Sequence, residues 1–193
     1  MGSRRASDPS GRRDRIVVAA LVLALVALLA AARVLRNIGK PPEAVAYVRG
    51  GPLAPEISGT IRFQETQGGV RVTVEVEGLP PYAPATPGRA PIGPHGFHIH
   101  EKGDCTVGDA TDPFLAAGGH FDDSGQPHGN HAGDFPVLFS NAGRASMTFF
   151  TSRLRVAAIL GRAVIIHENP DDYRTQPAGA SGKRLACGVI QRP

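Results

Sequence analysis

Cysteine and histidine are scarce in this chain of 193 residues, with two of the former and seven of the latter. Each scarcity excludes something. Both cysteines, Cys105 and Cys187, lie far from the N-terminus, so no lipid is carried on a cysteine there. No amphipathic helix of any length can be read beyond residue 36, which excludes a helical domain. Net charge is scarce as well, because the formal +4 is misplaced: residues 1 to 40 hold eight basic and two acidic side chains, leaving the other 153 residues at −2. A domain of that balance has no clustered basic face, and nucleic acid is excluded as a partner.

What is present begins with residues 16 to 32, seventeen uninterrupted apolar residues preceded by Arg4, Arg5, Arg12, Arg13 and Arg15 and followed by Arg33, Arg36 and Lys40. This is an export signal or a single membrane anchor. The five N-terminal arginines hold that end in the cytoplasm, so the remainder is translocated. Ala30-Ala31-Ala32 reads as a cleavage site, whereas the run approaches the ~17 to 25 residues of a spanning helix. Both readings stay open. Residues 1–36 are thus a basic cytoplasmic tail with a signal peptide or anchor, 37–42 a linker, and 43–193 one extracytoplasmic domain of ordinary size. Two cysteines in an exported domain favour a disulfide over free thiols or metal ligation, and closing a loop of 82 residues constrains the unfolded chain by about 4 to 5 kcal/mol in the entropy model.

The strand signals are clearer. Val70, Val72, Val74 and Val76 alternate with Arg71, Thr73, Glu75 and Glu77, the period of a strand with one buried face. Ile61 and Phe63 alternate likewise ahead of Gly68-Gly69, which predicts a hairpin. A first strand is expected around Ala44 to Val48, and short apolar runs follow at 96–101, 145–150, 162–167 and 185–190. The six prolines of residues 79–94 mark a loop. Seven or eight short antiparallel strands predict an all-β sandwich or flattened barrel, with function on the long connections 102–136 and 168–184.

Six of the seven histidines and one aspartate form three elements. In HGFHIHE (95–101), His98 and His100 are two apart and share one face of a strand, whereas His95 has the parity of Phe97 and Ile99 and reads as structural. In AGGHFDDSGQPHGNHAGDFP (117–136), His120, His128, His131 and Asp134 lie in a glycine-rich loop, an N3O set that suits tetrahedral zinc. In GRAVIIHENPDD (161–172), His167 ends an apolar strand. Imidazoles with a carboxylate suit copper and zinc, while magnesium and calcium prefer oxygen shells. A two-metal site is expected.

The chain resembles the copper/zinc superoxide dismutases of exported bacterial type through GFHIHEKGDC (96–105), AGGHF (117–121), HAGD (131–134), GRAVIIHE (161–168) and RLACGVI (184–190), in order over residues 43–192. The resemblance implies an eight-stranded Greek-key β-barrel or sandwich with long metal-binding and electrostatic loops, preceded by the N-terminal hydrophobic helix. It implies copper at His98, His100, His120 and His167, and zinc at His120, His128, His131 and Asp134, with His120 bridging both. Asp171 takes the place of the family's carboxylate that bonds ligand imidazoles of both sites. Arg184 takes that of the arginine beside copper, and Cys105 and Cys187 match the family's intrasubunit disulfide.

The reaction implied is disproportionation of superoxide: one anion reduces copper and leaves as dioxygen, and a second reoxidises it and leaves as peroxide, His120 carrying a proton between the steps. Arg184, with Lys183 and Arg174 near it in sequence, would form a cationic funnel able to raise encounter rates ~10- to 1000-fold at low salt. Lys183 and Arg174 also read as ordinary solvated charge. A homodimer is compatible with the family. One departure stands out, since only Gly129 and Asn130 separate His128 from His131, a shorter excursion than the family usually has. The competing readings are a dismutase-like protein that stores or passes on metal, and a structural sandwich with vestigial sites. Loss of a copper ligand or of the arginine would mark either, and this chain has all five.

Overall fold

The structure, a computed structural model, describes residues 9–37, 39 and 41–193. Arg4, Arg5 and Lys40, and the side chains of Arg12, Arg13, Arg15, Arg33 and Arg36, on which the orientation argument rests, lie outside the described residues. Two units are present, residues 1–40 and 41–193. The first contains α1, Pro9–Asn37. Its apolar side chains are exposed, Leu23 at 70%. No helix among the described residues is long and apolar enough to cross a membrane. Seventeen apolar residues rise only about 25 Å, short of the ~30 Å of hydrocarbon in a bilayer.

The second unit is built on β1 (Glu43–Gly50), β2 (Ser58–Thr66), β3 (Gly69–Glu77), β4 (Phe97–His100), β5 (Gly108–Asp109), β6 (Asp112–Pro113), β7 (Ala145–Thr151), β8 (Ala163–His167) and β9 (Arg184–Gln191), with a one-turn helix α2 (Val156–Ile159). Seven strands form one antiparallel sheet in the order β4-β8-β9-β1-β2-β3-β7. The hairpin expected at Gly68-Gly69 is there, with Thr66 paired to Gly69 around Gln67-Gly68. Gly68 has φ +85°, which a side chain resists, while Gly69 belongs to the strand. On β3 the alternation is as read: Val70, Val72, Val74 and Val76 are buried and Arg71, Glu75 and Glu77 exposed.

Every residue of β4 and β8 is buried, so alternation there separates two interiors rather than core from water. Phe97, Ile99, Val164 and Ile166 join the main core. Ala163 and Ile165 instead pack with Phe114, Ala117, Cys105 and Cys187 in a small second cluster under the long loop. The Cys105–Cys187 disulfide ties that loop to β9. Such a bond fits an oxidising, extracytoplasmic compartment.

The sheet curls until its ends face one another. Phe135, on the segment beyond β4, packs at a tilt against Phe97 of β4, centroids 5.2 Å apart, and edge-to-face against Phe149 of β7, the strand at the far end, at 5.1 Å. That segment, 134–140, is where the strand count departs from eight. It lies beside β4 through isolated bridges at His95–Leu138 and His98–Asp134 only. Pro136 between them has no N–H to donate, so a continuous ladder does not form. Residues 79–94 are an irregular excursion pinned by the bridges Ala83–Ile92 and Thr86–Arg89.

Candidate metal centre

The parity of β4 sends His98 and His100 away from the core, toward the loop that carries His120. That loop is stitched to the same strand by Glu101 N–H to Gly119 O at 3.0 Å and Phe121 N–H to Ile99 O at 2.7 Å. His167 arrives from the end of β8. The ligand atoms of His98, His100, His120 and His167 lie within 4.8 Å of one another, and so do those of His120, His128, His131 and Asp134. His120 belongs to both sets. His95 lies apart, donating its Nδ1 proton to His167 O at 2.8 Å.

Hydrogen bonds fix which nitrogen of each ring is free. His98 Nε2–H donates to Asp171 Oδ2 at 2.7 Å and His128 Nε2–H to Asp171 Oδ1 at 2.8 Å, so one carboxylate orients a ring of each set. His100 Nδ1–H donates to Gly118 O at 3.0 Å and His167 Nδ1–H to Gly182 O at 3.3 Å. What is left points inward. His98 Nδ1, His120 Nε2, His128 Nδ1 and His131 Nδ1 are buried without a hydrogen-bond partner, and His100 Nε2 faces His167 Nε2 at 3.2 Å. Buried polar atoms without partners are costly, and unpaired imidazole nitrogens converging on two points fit two metal ions that take nitrogen ligands. Copper and zinc pass this test.

The electrostatics favour neutral rings. Burial, then the charges of His167 and His120, holds the pKa of His98 and His100 well below the usual histidine value. Burial, then His120, pushes His167 down to about 3. Burial also lowers His120, against a hydrogen bond from its Nδ1 to Asp134 Oδ1 at 2.9 Å. Burial opposes ionisation of Asp134, but that bond and the neighbouring imidazoles outweigh it and keep the carboxyl far below its ordinary range. Neutral imidazoles beside an ionised carboxylate are what metal binding requires.

Arg184, at the start of β9, donates to Phe114 O at 2.6 Å and Gly118 O at 2.7 Å. Gly118 O also receives His100, so the guanidinium and a ligand ring are anchored on one carbonyl. Among the described residues, Arg174 and Lys183 form no ion pair with the site. Burial lowers the pKa of Arg184, against the nearby charge of Asp112, and the Asp109 carboxyl is held down by Thr111 and more weakly by Lys183.

Three contributors lie outside the site residues expected from the sequence. Arg162 lies 3.7 Å over the Phe121 ring and donates to Glu101 O at 2.9 Å, bracing both chain segments that flank the ligands. Tyr173 OH donates to Phe135 O at 3.2 Å and accepts from Val137 N–H at 2.8 Å. Gln176 holds the backbone of His128 from both sides. Each partner is distant in sequence, so the pairing is not visible in any one motif, even where, as with Arg162, Glu101 and Phe121, the residues lie inside one.

A curled antiparallel sheet whose long loops bring two four-ligand sets together on one shared imidazole defines a two-metal β protein with an arginine at its rim. The family profile described as copper/zinc superoxide dismutase matches residues 57–190. A superoxide dismutase [Cu-Zn] of Deinococcus radiodurans is 40% identical over 153 residues, 70% of this chain and 78% of that one. That of Brucella abortus is 36% identical over 146 residues, 69% and 78% of the two chains. The solved Cu/Zn superoxide dismutase from Brucella abortus superposes with a TM-score of 0.63 at 33% identity, covering 77% of this chain and 99% of that one. A double mutant of a SOD-like protein from Bacillus subtilis gives 0.62 at 32%, over 76% and 96%. The chain belongs to the copper/zinc superoxide dismutase family.

Proposed function

We propose that this chain is an exported copper/zinc superoxide dismutase, converting two superoxide anions and two protons into dioxygen and hydrogen peroxide. The observation that carries the proposal is His120, which belongs to both ligand sets, its Nδ1 bonded to Asp134 and its Nε2 buried without a partner. In this reading His98, His100, His120 and His167 hold copper, and His120, His128, His131 and Asp134 hold zinc. Copper supplies a one-electron couple and zinc a fixed positive charge.

The chain's own groups do the rest. Arg184, fixed by Phe114 O and Gly118 O, keeps N–H groups free for a small anion beside the His100 ring. Asp171 holds the protons of His98 and His128 on Nε2, so each presents its Nδ1 lone pair. His120 Nε2 takes up a proton in one half of the cycle and yields it to the departing peroxide in the other. A protein that merely stores metal has no use for an arginine fixed at the mouth of the site, which favours turnover.

The fold is read as the family's eight-stranded Greek-key barrel, with 134–140 as the eighth strand, closing toward β7. Residues 1–36 are the export segment, a cleaved signal or a membrane anchor, 37–42 a linker and 43–193 the catalytic domain. N-terminal sequencing of the mature protein separates signal from anchor, and sedimentation measures a homodimer. The decisive assay is superoxide disproportionation by the protein loaded with copper and zinc. A fully metallated protein that leaves the spontaneous decay of superoxide unchanged overturns the proposal.

A further inference from the structure

With only Gly129 and Asn130 between them, His128 and His131 are joined by a turn too short to have packing of its own. Asp134 Oδ2 accepts the Gly129 N–H at 2.8 Å and the His131 N–H at 3.0 Å, and the backbone of His128 itself is fixed from the loop after β8. Gln176 Oε1 accepts the His128 backbone N–H at 2.9 Å, and Gln176 Nε2 donates to the His128 carbonyl at 3.2 Å, so one amide side chain occupies both backbone groups of a ligand residue as a neighbouring strand would. Gln176 Nε2 also donates to Arg174 O at 3.2 Å, which sets the amide plane. Tyr173 O closes over Gly129, where a Cβ would collide with it. From the other side Arg153 donates to Asp134 O at 3.1 Å. None of these contacts involves a ligand nitrogen.

We propose that Gln176 is a positioning residue for the zinc set: it holds the His128 backbone in its ligating place before any metal arrives. The inference rests on the assignment of His120, His128, His131 and Asp134 to zinc. An ordinary turn is ordered by the ion and spends part of the binding free energy on that ordering. A turn already clamped from outside does not, so the clamp raises zinc affinity without touching zinc. Arg162 and Glu101, which brace the copper side, are remote from Gln176 in sequence and share no hydrogen bond with it. The effect therefore falls first on the zinc set and reaches copper only indirectly, through the Asp171 carboxylate that bonds both His128 and His98.

The test uses the full-length protein in three forms, wild type, Gln176→Ala and Gln176→Glu. Glutamate keeps the acceptor for His128 N–H but turns a second oxygen toward the His128 carbonyl. Zinc affinity is measured by chelator competition, hydrogen exchange of residues 126–131 in the metal-free protein, and copper affinity with the copper EPR spectrum. In Gln176→Ala two lost hydrogen bonds to His128, of ordinary strength, predict zinc weakened roughly 10- to 30-fold; in Gln176→Glu one bond is lost and an oxygen–oxygen repulsion takes its place, which predicts a loss of similar size. Exchange at 126–131 should be faster before metal is added, and copper affinity should change far less than zinc affinity. Wild-type exchange at 126–131 together with wild-type zinc affinity in Gln176→Ala overturns the inference and leaves the metal assignment standing. Equal weakening of copper and zinc also overturns it, because a general loosening would then be the cause. Wild-type protein that binds no zinc removes the site itself, and the inference with it.

Discussion

His100 Nε2 and His167 Nε2 face each other at 3.2 Å, both rings buried. Each ring spends its Nδ1 proton on a backbone carbonyl, Gly118 for one and Gly182 for the other, so two lone pairs meet. A cation between them turns that repulsion into two ligand bonds. Without one the site costs stability.

The metal-free protein should therefore be acid-sensitive. His98, His100 and His167 have folded pKa values below the ordinary histidine value, His167 at about 3. Below about pH 6.5 the unfolded chain binds protons that the folded one refuses, so stability falls as pH falls, from about 6.5 toward about 3, and is level above 7. Each such group contributes about 1.4 kcal/mol per pH unit inside the window. Urea unfolding of the metal-free protein at a series of pH values measures the slope. A midpoint independent of pH between 7 and 5 would refute the burial argument.

Asp171 links the two sets, through His98 on one side and His128 on the other. Asp171→Ala should weaken both metals, each by about 10- to 100-fold, because both rings lose the partner that fixes their tautomer. Competition with chelators gives the two affinities. Loss at one metal alone would mean that only one of the bonds matters.

Gly129 sits at φ +88° with no space toward Tyr173 O. Gly129→Ala should cost roughly 1 to 3 kcal/mol of unfolding free energy and displace the turn between His128 and His131. Thermal unfolding of metal-free and zinc-loaded protein reads this as a lower midpoint and a smaller gain from zinc. An unchanged midpoint in both states would show that the turn relaxes freely.

The anion-steering role rests on Arg184. Arg184→Ala should keep both metals, lower the catalytic rate about tenfold or more, and flatten the dependence of rate on ionic strength. Arg184→Lys should recover only part of the loss, since lysine lacks the fork that reaches Phe114 O and Gly118 O together. Pulse radiolysis over a range of salt concentrations measures both quantities, and a rate with wild-type salt dependence in Arg184→Ala would remove the steering role.

The legible parts of the sequence were those governed by local period or local spacing. Val70 to Val76 alternate because β3 has one face in the core, and His98 and His100 share a face for the same geometric reason. The 134–140 segment was not legible as an irregular edge, because whether Pro136 breaks a ladder depends on which neighbour it meets. Gln176 was illegible for a different reason. It is an exposed polar residue of a non-periodic loop, and its partner His128 stands 48 positions away. Motifs record ligands, while the residues that aim them are chosen by the fold.

The central claim is that one imidazole, His120, serves two ions. It is tested most directly by filling both sites with Cu(II) and integrating the EPR signal. A shared His120 ring couples the two spins, so the intensity should fall far below that of two copper ions per chain and return when zinc replaces one of them. Full intensity for two independent copper ions, with both sites occupied, would contradict it.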